Sequence, residues 1–141
     1  MREFDRFISG FNRLQATRIV STPAALDTIQ APNDRLVLRT AADELLIIPP
    51  APAQDVALAD PYAIVVEDAS YSAIWLDAQH AQRFLSHACQ WELPSQRPAF
   101  AQGAVAGIAT KLYFEQKRVL LIVPTPYAAE MNDRMAHGGL L

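Results

Sequence analysis

A single cysteine, Cys89, stands in 141 residues, which excludes an internal disulfide framework and a thiolate metal cluster. A reduced compartment is the simplest expectation. No apolar run approaches the roughly 18 residues that a membrane-spanning helix requires. Arg2, Glu3, Asp5 and Arg6 interrupt the first residues before an apolar stretch can form, unlike a signal peptide, so a cytoplasmic location without a membrane partner is expected. Lys and Arg are missing altogether between Arg39 and Arg83. Elsewhere they are scattered, no basic stripe can neutralise phosphates, and nucleic acid is not an expected partner.

What is present is a globular composition. Hydrophobic residues make up 51% of the chain, in short runs broken by ten prolines and by polar turns, and a chain of this length buries roughly 70% of its unfolded surface. The net charge is only −3. The segment without bases nevertheless collects Asp43, Glu44, Asp55, Asp60, Glu67, Asp68 and Asp77. That face is either a solvated surface or a docking patch for a basic partner.

Phe4, Phe7, Ile8, Phe11 and Leu14 recur at spacings of three and four, which predicts an amphipathic helix over residues 3–14. Its aromatic stripe either packs on the protein's own sheet or docks on a partner. Arg18 to Thr22 reads as a short strand stopped by Pro23, and the segment from Ala24 to Gln30 is ambiguous. Arg35 to Arg39 and Glu44 to Ile48 read as a hairpin joined by residues 40–43. These elements form an expected N-terminal lobe, 1–48, followed by a proline-rich linker, 49–61.

The main domain is expected at 62–137 as strand, strand, helix, strand, strand, helix. Ala63 to Val66, apolar on both faces, predicts a central covered strand, with a turn at residues 67–70. Tyr71 to Leu76 forms the next strand, and Trp75 faces the helices or a contact surface. Asp77 is a good N-cap for a helix whose stripe is Ala78, Ala81, Phe84, Leu85 and Ala88. A long strand runs from Gly103 to Phe114 with a bulge or close approach at Gly107, and Val119 to Val123 returns. Thr125-Pro126 opens the last helix, with Tyr127, Ala128, Met131 and Met135 inward. The fold class that follows is α+β, antiparallel sheets with helices packed on one face.

No catalytic constellation emerges, and no catalytic, cofactor-binding or metal residue is assigned. His80 and His87 stand roughly 10 Å apart on a helix, and Cys89 points about 160° away from His87, so the three cannot share one metal. Cys89 reads as a small buried hydrophobe. Ser70 lies in no nucleophile elbow. Glu67 and Asp68 are adjacent, so in a strand they face opposite ways and cannot pair as acid and base. Gly103-x-x-x-Gly107 lies in a strand and cradles no phosphate.

Several short motifs, in order, carry a resemblance. Residues 35–39 followed by Asp43-Glu44-Leu45-Leu46-Ile47, the turn Glu67-Asp68-Ala69-Ser70, Leu76 through Ala81, Phe84-Leu85 to Cys89 with Glu92-Leu93, Phe100-Ala101-Gln102-Gly103, and Val123 to Ala128 together resemble the gamma subunit of heterotetrameric sarcosine oxidase, in the fold group of the glycine-cleavage aminomethyltransferase. The likeness spans residues 35–135. Leu45 replaces a tryptophan of the family pattern, Ala78 a glycine, and Gly107-Ile108 an Arg-Thr pair. The resemblance implies ferredoxin-like strand-strand-helix units and a non-catalytic subunit without its own cofactor. It would serve assembly in an oxidoreductase complex for sarcosine catabolism and one-carbon metabolism.

The partners implied are larger flavoprotein subunits, or a second copy of the chain when it is alone. The possible interface residues are Phe4, Phe7, Phe11, Asp43, Glu44 and Trp75. A stand-alone folate or one-carbon binding protein is the alternative, with Glu67 or Asp68 for a pterin and Tyr71 and Trp75 as walls. A structural homo-oligomeric module is the third possibility.

Overall fold

The structure is a computed structural model and describes residues 10–30, 34–52 and 60–137. The chain divides into two compact units, one of Leu14–Ala69 and one that runs from Ser70 onward and includes residues 10–13. The division falls inside two strands, between Arg13 and Leu14 and between Ala69 and Ser70.

In the first unit, β1 (Asn12–Val20), β2 (Leu36–Ala41) and β3 (Glu44–Ile48) lie in the order β2-β3-β1. Leu36 opposes Ile48 and Leu38 opposes Leu46 across the antiparallel hairpin, while Thr17 opposes Ile47 and Ile19 opposes Leu45 on the other side of β3. Leu45 to Ile48 are buried without alternation, so β3 is covered on both faces. Ile19, Leu45 and Ile47 form a cluster with Leu26 of the short helix α1 (Pro23–Asp27) and with Ala51. Thr22 caps α1 by accepting from Ala25 N–H, and Pro23 supplies the first helical position. Arg39 ties α1 to the hairpin: its guanidinium donates to the Ala42 and Pro23 carbonyls and pairs with Asp27 at 2.8 Å.

The second unit contains the end of β4 (Ile64–Asp77), α2 (Ala78–Ala88), β5 (Ala99–Val105), β6 (Ile108–Phe114), β7 (Arg118–Pro124), a 3-10 turn at Thr125–Tyr127 and α3 (Ala128–His137). The strand order is β4-β7-β6-β5, antiparallel throughout, with Ile74 opposite Leu121 and Leu112 opposite Leu121 on its other side. One core gathers Ile74, Leu76, Leu112, Phe114, Val119, Leu121 and Val123 from strands and Ala81, Phe84, Leu85, Met131 and Met135 from α2 and α3. Asp77 caps α2 as expected, accepting from His80 N–H at 2.9 Å.

Strands take 47% and helices 25% of the described residues. The expected α+β class, with helices packed on one face in ferredoxin-like strand-strand-helix units of the aminomethyltransferase kind, is thereby corrected to a mostly antiparallel β fold. Two local misreadings produced it. The four polar or small residues at 67–70 are no turn, because β4, 14 residues long, runs through them, and Asp68 is drawn into the strand by an ion pair with Arg18 of β1. Ile64 is 53% exposed, so this half of β4 is not a strand covered on each side. The supposed single strand over residues 103–114 is a hairpin of β5 and β6 with Val105 paired to Ile108.

The N-terminal helix expected at 3–14 lies outside the described residues up to residue 9. From Asn12 the chain is β1, with Leu14 buried.

Thr17 is 2% exposed; its hydroxyl donates to the Ala51 carbonyl at 2.9 Å and accepts from Ala51 N–H at 3.0 Å. Thr17→Val keeps the shape and strands both backbone groups, so urea unfolding is expected to show a loss of about 1–3 kcal/mol. A midpoint equal to wild type would refute the role of this anchor.

The α2 cap gives a pH signature. The His80 backbone N–H, and after it the His80 side chain, hold the Asp77 carboxyl below its usual 3.8. A lowered carboxyl stabilises the fold above its ordinary value, and that stabilisation is lost as pH falls through the lowered one. Thermal unfolding of Asp77→Asn, which keeps a cap acceptor, should therefore lose part of the wild-type decline in Tm below about pH 4. Superimposable pH profiles would contradict this.

Candidate functional site

An open groove of about 910 Å³ in the second unit is lined by α2, the loop after it, the β5–β6 turn and α3. Its floor is apolar: Phe84, Ala88, Trp91, Ala104 and Ala106. Arg83, His87, Arg134 and His137 also line it, and among the described residues none of the lining is acidic. Helical spacing explains how these side chains are grouped. Arg83 and His87 are one turn apart on α2, as are Arg134 and His137 on α3, and each pair therefore shares a face.

The floor is built tightly. Ala106 and Gly107 have φ of 50° and 78°, the two positive values of a type I′ hairpin turn. Ala106 in this conformation costs about 1–2 kcal/mol relative to a right-handed one. The strain is offset where the turn is held: Ala106 N–H donates to the Ala88 carbonyl at the end of α2 at 2.8 Å, and the Ala106 carbonyl accepts from Arg134 Nη1 of α3. Arg134 also pairs with Glu130 one helical turn back. Trp91 lies against Gly103, where any Cβ would collide with the indole, and Trp91 Nε1–H donates to the Ala104 carbonyl at 2.9 Å.

The rim is more available for chemistry. His137 Nδ1 donates to the Asp133 carbonyl at 2.7 Å, which leaves Nε2 as the outward nitrogen. His87 and Arg83 are exposed, and their side chains have no hydrogen-bond partner among the described residues. The groove thus offers the Arg83 guanidinium and two imidazoles above a flat aromatic wall.

Among the described residues no three His, Cys, Asp or Glu side chains converge as a metal site would require. His80 pairs through Nδ1 with Asp77 at the start of α2, His87 lines the groove, and the half-buried Cys89 thiol contacts the Trp91 carbonyl at 3.6 Å. Of the expected interface residues, Phe4 and Phe7 lie outside the described residues. Phe11 is half-buried against the core of the second unit. Asp43 is exposed in the β2–β3 turn, and Glu44 is half-buried, accepting from Thr40 at 2.6 Å and pairing with Arg18. Trp75 is 6% exposed, with the Arg118 guanidinium 3.7 Å from its ring centroid.

Of the residues named for the folate alternative, Asp68 is bound to Arg18, Glu67 is exposed, and Trp75 is in the core. Sequence reasoning missed the groove. Its only local signal was a basic side chain in the last turn of each of two helices, at His87 and at Arg134 and His137.

Comparison with known proteins adds no assignment: no family model matches the chain, and no curated protein does. The wall itself is testable. Gly103→Ala is expected to push Trp91 off β5 and shift its emission to the red, while Trp91→Phe removes that shift. Unchanged emission in Gly103→Ala would mean that the indole does not rest on Gly103.

Proposed function

We propose that the chain is a non-catalytic, gamma-like small subunit of a sarcosine-oxidase-type flavoenzyme, acting in assembly for the oxidative demethylation of a secondary amine in the cytoplasm. The larger flavoprotein subunits carry the chemistry, and this chain needs no cofactor of its own. The observation that carries the reading is a row of exposed apolar side chains leading into and along β4: Tyr62 at 89%, Ile64 at 53% and Val66 at 39% exposure. Residues two apart in a strand share a face, and an aromatic with two β-branched neighbours is the composition of an interface centre. The ordered motifs add support. The β2–β3 hairpin falls where the resemblance has its strand and Asp-Glu-x-Leu-Leu segment, and α2 ends at Cys89 as the family's helix does.

Ile64→Glu with Val66→Glu alters that row without touching either core. Co-expressed with the large flavin-carrying subunits from the same source, the wild-type chain should co-purify with them. The double variant should lose about tenfold or more of that association while keeping its circular dichroism. Sedimentation showing only monomer, with no flavoprotein retained, would overturn the reading. So would a homodimer that the double variant dissolves.

A further inference from the structure

We propose that the groove between α2, the β5–β6 turn and α3 binds a small organic anion, a carboxylate on an aromatic or similarly flat apolar body. The inference stands apart from the subunit reading, since it concerns the second unit's groove and not the β4 row. Three observations converge on it. The volume of about 910 Å³ lies within the roughly 300–1,000 Å³ of small-molecule sites, which are mostly apolar with a few placed polar groups.

The second observation is charge. The chain as a whole is acidic, at −3, yet among the described residues this lining holds two arginines, two histidines and no acid. The one carboxylate paired with them, Glu130, binds Arg134 from outside the lining. Arg83 lacks a partner among the described residues, and a guanidinium offers a planar fork that fits a carboxylate.

The third observation is preorganisation. Trp91 is fixed by its bond to Ala104 and its seat on Gly103, and the turn is fixed to Ala88 and Arg134. A wall already in place orders little on binding, which favours a compact ligand over a peptide that must itself be ordered. In the bound state the flat body lies on Trp91 and Phe84. Its carboxylate accepts from Arg83, one helical turn from His87 on the same face of α2.

The test uses 2-naphthoate, with 2-naphthalenemethanol as its neutral counterpart, titrated into the full chain by calorimetry and by tryptophan emission. Saturable binding of 2-naphthoate that weakens with added salt is expected, with the alcohol bound about tenfold more weakly or less. Arg83→Ala with His87→Ala should cost a similar factor at unchanged circular dichroism, since neither side chain holds the fold. Trp91→Phe should keep binding while abolishing the emission change. No saturable binding, equal affinity for the alcohol, or indifference to Arg83→Ala with His87→Ala would each overturn the proposal. An acidic peptide binding where 2-naphthoate does not would overturn it as well.

Discussion

The peptide groups of Ala106 and its neighbours hold the second unit together at one point. A hairpin turn with two positive φ values sets the register of β5 on β6, from Val105 against Ile108 to Ala99 against Phe114. Its N–H anchors the end of α2 and its carbonyl receives a guanidinium from α3. Helix ends leave carbonyls without intrahelical partners. Here one of those carbonyls, on Ala88, is satisfied by the turn of a distant hairpin. The floor of the groove, the placement of Trp91 against β5 and the closeness of two helix C-termini all follow from that arrangement.

The same point explains what was legible in the sequence. Type I′ turns announce themselves by Asn-Gly or Asp-Gly, and Ala106-Gly107 carries half of that signal. Alternation continued unbroken across it, so residues 103–114 read as one strand. The opposite error occurred at residues 67–70, where four polar or small residues imitate a turn. Asp68 is instead held in β4 by Arg18, a residue 50 positions away. Propensity within a short window has no access to such a partner. Elements whose causes are local fared better: Asp77 and the stripe of Ala81, Phe84 and Leu85 gave α2, and residues 44–48 gave β3 to its ends.

The groove was illegible for a related reason. Arg83 and His87 look like the solvated side of one helix, and Arg134 and His137 like that of another. Neither pair has meaning as a site until the β5–β6 turn draws the two helix ends together.

β4 bears on how this chain could have arisen and diverged. Recombination commonly joins folding units at exposed linkers, where few contacts cross. Here the division between the two compact units falls inside strands, between Arg13 and Leu14 of β1 and between Ala69 and Ser70 of β4, and an exchange within β4 would leave each product with a truncated strand and an interrupted hydrogen-bond ladder. Descent by shuffling at this boundary is thus disfavoured. The two units are expected to be inherited as a pair, with variation accumulating in their loops instead of at the boundary between them.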